Sequence, residues 1–293
     1  MKWILLGVLA FLLMGCQTVP KDLESSSSSS SSTKKLNFAQ NAYQVPSYGR
    51  ITHSRIYVPE GFDKSKKYSA VVILPSCADT GGVNAGQLES WVRLFTKNGY
   101  ATILVSHLVS RGIYKKACGG IRPVGENVLV QDLYQAVSEL SSKSYIKNDQ
   151  IFAIGFSLGA MTIANASSVS AYDKLAPGKQ KFKAAAGVYG SCTGGGYTYL
   201  KSDTNMPLLW LMGEDDTESP YGNCIGKVES LKERIEGFDF HVYPNATHCW
   251  DCSVLNGKSK VHPKTGAYIK YVYNEEVTRD SERRVLEFFN SFK

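Results

Sequence analysis

No basic helix interleaved with aromatic side chains occurs in this sequence, although its formal net charge is +7. The extra cations fall in short pairs such as Lys66-Lys67 and Lys115-Lys116, and in the Lys179/Lys181/Lys183 group. That scatter describes a solvated surface, and nucleic acid is not expected as a partner, because it calls for a concentrated basic stripe. Close-spaced metal ligands are equally scarce. Cys249 and Cys252 have ligand-like spacing, but no second close pair of Cys or His completes a tetrahedral set. Neither a metal nor an organic cofactor is expected. No internal repeat is apparent. The apolar run from Trp3 to Gly15 is too short to cross a bilayer comfortably. With Lys2 before it, the run has the form of a secretory signal over residues 1–15.

The end of that run, Leu13-Met14-Gly15-Cys16, resembles the lipobox of bacterial lipoproteins. The resemblance implies that Cys16 is lipidated and becomes the mature N-terminus, and two or more acyl chains suffice for a stable membrane anchor. Gln17, rather than Asp, follows the cysteine, which in Gram-negative lipoproteins matches an outer-membrane destination, with the domain facing the periplasm or the cell surface. Residues 16–40 contain KDLESSSSSSSSTKK, whose serine run cannot bury apolar surface and reads as a flexible tether. The globular domain is assigned to residues 41–293. About 250 residues suit one large α/β domain with a sizeable core. Besides Cys16 the chain has Cys77, Cys118, Cys192, Cys224, Cys249 and Cys252. An even number in an exported chain reads as disulfides.

Short apolar runs rich in β-branched residues alternate with longer segments of helical period. The strand candidates are 51–58, 69–75, 100–106, 150–156, 183–189, 207–213 and 238–244; helices are expected at 86–98, 126–143, 158–170, 222–236 and 275–292. This is the pattern of a mostly parallel central sheet with helices on both faces.

Within that order, IFAIGFSLGA at 151–160 places Ser157 between Gly155 and Gly159, just past a buried-type strand and just before a helix. The two glycines relieve crowding in a strained strand-to-helix turn that would raise the hydroxyl above the sheet. A serine hydroxyl is a poor nucleophile at neutral pH. It needs a histidine base within hydrogen-bond reach and a carboxylate to orient that base. Such groups leave later strand ends in the chain order Ser, Asp/Glu, His. EDDTESP puts Asp215 and Asp216 after one strand, and NATHCWD puts His248 after the next. His53, His107, His241 and His262 fit worse. The oxyanion donors expected are the backbone N–H groups of Leu158, after the nucleophile, and Cys77, on the loop after the early strand.

These residues resemble the dienelactone hydrolase family of the α/β-hydrolase fold. The similarity rests on SAVVILPSCADTGG, SHLVSRGIYKKAC, IGFSLGA, LMGEDDTESPYGNC, HVYPNATHCWD and YNEEVTRDSERRVLEFF, in this order. It implies the fold and the hydrolysis of an ester-like bond. Counting from Gly213, the family's G-x-x-D-x-x-x-P pattern falls on Asp216 and Pro220 and selects Asp216 as the acid. Where members acting on dienelactones have cysteine as nucleophile, this chain has Ser157, as in the family's general esterases. Pro75-Ser76 replaces the His-Gly of many relatives. Arg111 matches an arginine near the site in relatives, either to bind a substrate carboxylate or to make a structural salt bridge. The resemblance also suggests the pairs Cys77–Cys118, Cys192–Cys224 and Cys249–Cys252.

The reading is a membrane-tethered serine hydrolase that cleaves a small-molecule carboxylic ester through an acyl-enzyme, using Ser157, His248 and Asp216. The alternatives are a peptidase with the same triad and a non-catalytic binding lipoprotein.

Overall fold

Runs such as SAVVIL, short, apolar and rich in β-branched residues, suit strands buried on both faces, and the computed structural model arranges this one so. It describes residues 42–44, 51–114, 118, 124–262 and 265–293. The signal segment, Cys16 and the serine tether lie outside the described residues. In chain order the elements are β1 (Ala42–Gln44), β2 (Arg55–Tyr57), β3 (Tyr68–Leu74), α1 (Ala85–Lys97), β4 (Ala101–Leu104), α2 (Glu126–Ser141), β5 (Ile146–Phe156), α3 (Leu158–Ala166) and α4 (Val169–Leu175). There follow β6 (Ala185–Val188), β7 (Thr193–Gly194), β8 (Tyr197–Thr198), β9 (Leu208–Gly213), α5 (Ile225–Arg234), β10 (Phe238–Tyr243), β11 (Ser259–Val261), β12 (Tyr268–Lys270) and α6 (Glu275–Asn290).

The main sheet has the order β1-β2-β4-β3-β5-β6-β9-β10. Neighbours from β4 to β10 are parallel, and β1 and β2 add an antiparallel edge. With helices packed on both faces, this is the α/β-hydrolase fold. Along β3, Ala70, Val72 and Leu74 face one core, with Leu133 and Val137 of α2 and Ile163 of α3. Val71 and Ile73 face the other, with Trp91 and Phe95 of α1 and Val285 and Phe289 of α6. The period-2 alternation of a strand therefore feeds two hydrophobic layers, which is why these strands show no polar face. Gly187 on β6 pairs with Trp210 on β9. A Cβ at Gly187 would stand 2.1 Å from the Trp210 ring, so the indole occupies the space that any side chain there would need.

Several details depart from the sequence-based expectation, among them the edge strand β1 and the early start of β5 at Ile146. The strand expected over 51–58 is confined to β2, because Ser54 N–H bonds back to the Ile51 carbonyl in a turn. The helix expected over 158–170 is two helices. Ser168 interrupts it: its hydroxyl accepts from Ala171 N–H and caps α4, while its backbone bridges to Thr204. The hairpins β7–β8 and β11–β12 lie outside the expected strands; their own strands are short and largely exposed. Disulfides join Cys77 to Cys118, Cys192 to Cys224 and Cys249 to Cys252.

Candidate active site

Ser157 sits at the junction of β5 and α3 with φ 52° and ψ −109°, a strained conformation for a residue with a side chain. Two close approaches enforce it. A Cβ on Gly155 would stand 2.3 Å from the Gly159 carbonyl, and one on Gly159 would stand 2.3 Å from the Leu74 carbonyl oxygen. Strand, turn and helix thus touch backbone to backbone, and the Ser157 N–H is tied to the Val188 carbonyl at 3.0 Å.

The hydroxyl of Ser157 lies 3.0 Å from Nε2 of His248, and Nδ1 of His248 lies 2.8 Å from Oδ2 of Asp216. Asp216 is buried beyond the end of β9. Its other oxygen, Oδ1, accepts from the N–H groups of Glu218 at 2.9 Å and Ser219 at 2.7 Å. Asp215 faces solvent. The imidazole is buried against the edge of the Tyr189 ring, whose centroid is 5.0 Å away. Burial disfavours the imidazolium, but Asp216 and then Glu218 outweigh it, and the pKa of His248 is raised to about 8. The structure thus brings Ser157, His248 and Asp216 into one continuous chain of contacts.

Leu158 is the first residue of α3, so its N–H has no helical carbonyl behind it. Cys77 lies three residues past the end of β3, on the loop whose Leu74 and Pro75 carbonyls abut Gly159. This loop is fastened twice. One fastening is the Cys77–Cys118 disulfide. The other is Asp79, whose carboxylate accepts from the Ser106 hydroxyl and from the N–H groups of His107, Leu108 and Val109 at 2.9–3.0 Å.

The contacts of Arg111 match a structural salt bridge, one of the two roles its position allows. Its guanidinium donates to both oxygens of Asp132 at 2.8 Å and also to the His107 carbonyl. The fork that could grip a substrate carboxylate grips that of Asp132 here, which is the geometry of a structural ion pair. Cys249 and Cys252 flank Asp251, and a disulfide joins the two sulfurs, so the group offers no thiolate for a metal.

Glu218 stands at the site without having been singled out in the sequence. Its Oε2 is 3.9 Å from His248 Nε2, and its carboxylate accepts from Lys260 Nζ at 2.8 Å and from the Tyr271 hydroxyl at 2.7 Å. These partners are 42 and 53 residues away in the chain, beyond the reach of any local motif. Burial opposes the charged form of Glu218, yet His248 and Lys260 hold its pKa down at about 2.

The model of the dienelactone hydrolase family matches residues 55–293. A stretch of 114 residues is 28% identical to the uncharacterized protein YcjY of Escherichia coli (strain K12), covering 38% of this chain and 35% of that one. Among solved structures, a candidate dienelactone hydrolase from Klebsiella pneumoniae subsp. pneumoniae MGH 78578 superposes with a TM-score of 0.60 at 16% identity, over 81% of this chain and 92% of that one. Thermogutta terrifontis esterase 2, phosphoramylated by tabun, gives 0.55 at 15% identity, over 80% and 87%. At such identities the structural likeness speaks for the fold alone.

Proposed function

The chain belongs to the dienelactone hydrolase family, and from that premise we propose that it is a serine esterase in which Ser157, His248 and Asp216 cleave a carboxylic ester through an acyl-enzyme. The observation that carries the reading is the unbroken contact from Ser157 Oγ through the imidazole to Asp216. His248 Nε2 takes the hydroxyl proton as Oγ bonds to the ester carbonyl carbon. Asp216 keeps the remaining proton on Nδ1 and stabilises the imidazolium. The N–H groups of Leu158 and Cys77 receive the oxyanion. Collapse breaks the bond to the alcohol oxygen, which leaves with the proton from Nε2. Water then repeats the sequence on the acyl-enzyme and releases the acid.

A fluorophosphonate should label wild-type protein at Ser157 and leave Ser157→Ala unlabelled, correctly folded and inactive on 4-nitrophenyl esters. Labelling elsewhere, or unchanged turnover in the variant, contradicts the reading. The proposal also covers location: Leu13-Met14-Gly15-Cys16 and the serine tether support a lipid-anchored enzyme facing the periplasm or the cell surface. Radiolabelled palmitate should enter the wild type and not Cys16→Ser; equal incorporation refutes the anchor.

A further inference from the structure

Glu218 is not required to complete the triad, yet its placement is elaborate. It leaves the same loop as Asp216, and its side chain is only 16% exposed. Lys260, at the centre of β11, and Tyr271, next after β12, grip one oxygen each. The hairpin is itself docked on this loop, through the Thr217 hydroxyl and the Tyr268 carbonyl at 2.8 Å. A buried carboxylate is costly to keep charged unless it is paired. Here the pair holds it in one position, with Oε2 3.9 Å from His248 Nε2.

That nitrogen is the one that faces Ser157 at 3.0 Å. It takes the serine proton and later gives it to the departing alcohol oxygen. Any leaving group must therefore bring its oxygen to hydrogen-bond distance of Nε2 and enter the field of Glu218. The charged and titratable groups that face His248 are Asp216 on Nδ1, Glu218 and Lys260 on the other side, and the rings of Tyr189 and Tyr271. Lys260 opposes Glu218 in sign, but its side chain is 34% exposed, so water screens much of its charge.

We propose that Glu218 is a second anionic residue of the active site, which stabilises the imidazolium of His248 from the Nε2 side and selects esters with a neutral alcohol half over esters whose alcohol half is anionic. The proposal rests on the triad reading above. It differs from a purely structural role, in which Glu218 would only fasten the β11–β12 hairpin, because it assigns a sign to the effect of each partner's charge.

The test uses kcat/KM profiles against pH for the wild type, Glu218→Gln and Lys260→Met on 4-nitrophenyl acetate and on its anionic analogue 3-carboxy-4-nitrophenyl acetate. Circular dichroism checks that each variant is folded. Glu218→Gln keeps the shape and removes the charge. Its profile should move to lower pH by about half a unit to one unit. Its preference for the neutral ester should fall on the order of tenfold. Lys260→Met leaves the carboxylate and removes its counter-ion, so both quantities should move the opposite way. Opposite shifts support the proposal. If both variants lose activity in parallel with unchanged pH dependence and selectivity, Glu218 is a strut and the proposal falls. Wild-type labelling by fluorophosphonate separates the two levels. A labelled, active wild type with unshifted variants removes only the role of Glu218, whereas an unlabelled, inactive wild type removes the triad and this inference with it.

Discussion

Gly155 and Gly159 are in backbone contact across the strand-to-helix turn, so close that a Cβ on Gly155 would stand 2.3 Å from both the carbonyl carbon and the carbonyl oxygen of Gly159. The positive φ of Ser157 between them is a consequence of that approach. Neither neighbour is a flexible side chain that could swing aside, so Gly155→Ala must displace α3 from β5. Overpacking of this kind typically costs about 1–3 kcal/mol, and backbone neighbours put it at the upper end. Gly86→Ala is the control: nothing lies within 4 Å of a Cβ there, and alanine favours the helix. Urea unfolding should show a marked loss for Gly155→Ala and none for Gly86→Ala, with ester turnover falling only in the former.

The parts legible in the sequence are those written in local pattern. The strands β3, β5 and β9 announce themselves as apolar runs because both faces are buried, and Ser157 stands out because the glycines on either side answer a local steric demand. The register that separates Asp216 from Asp215 was legible only through the resemblance. What stayed hidden depends on distant partners. The ion pair of Arg111 needs Asp132, 21 residues on, and the grip on Glu218 needs a hairpin whose strands are three residues each and mostly exposed. Such strands carry no hydrophobic alternation to read. The break between α3 and α4 turned on one serine that sequence pattern alone counted as helical.

The pKa of His248, raised to about 8, sets the pH dependence of the proposed reaction. The general base is the neutral imidazole, because a protonated Nε2 has no lone pair for the Ser157 proton. Activity is therefore low below the pKa and grows as pH rises through it. On a neutral ester, kcat/KM should reach half of its alkaline plateau near pH 8. A half-plateau found instead at the ordinary histidine value of 6.5 would contradict the electrostatic account of Asp216 and Glu218 given above.

The disulfides should contribute unequally. The bridges Cys77–Cys118 and Cys192–Cys224 join residues 41 and 32 positions apart, whereas Cys249 and Cys252 are 3 apart. In the loop-entropy account each of the first two stabilises by roughly 3–4 kcal/mol, and the short one by less. Double Cys→Ser variants compared by denaturant unfolding under oxidising conditions check the ranking. The Cys77/Cys118 variant should also lose turnover, since it loosens the loop that carries the proposed Cys77 N–H donor. Asp79 still holds that loop in the variant, so the loss should be partial.

Asp215 and Asp216 offer the sharpest test, because two adjacent carboxylates make opposite predictions. Consecutive residues leaving a strand point to opposite sides, and here Asp216 turns inward to His248 Nδ1 while Asp215 turns to solvent. Asp216 is further fixed by the N–H groups of Glu218 and Ser219 on its other oxygen. Asp216→Asn keeps the size but can present an amide N–H to the imidazole. That favours the tautomer with its proton on Nε2, which cannot accept from Ser157, and it withdraws the charge that supports the imidazolium. A loss in kcat on the order of 10⁴ is expected, as for the corresponding change in a serine protease with a Ser-His-Asp triad. Asp215→Asn alters a solvated turn and should change stability by no more than about 0.5 kcal/mol, with kcat close to the wild type. The reverse ranking would move the orienting acid to Asp215. Small, equal losses would leave His248 without a carboxylate that matters and would remove Asp216 from the proposed triad.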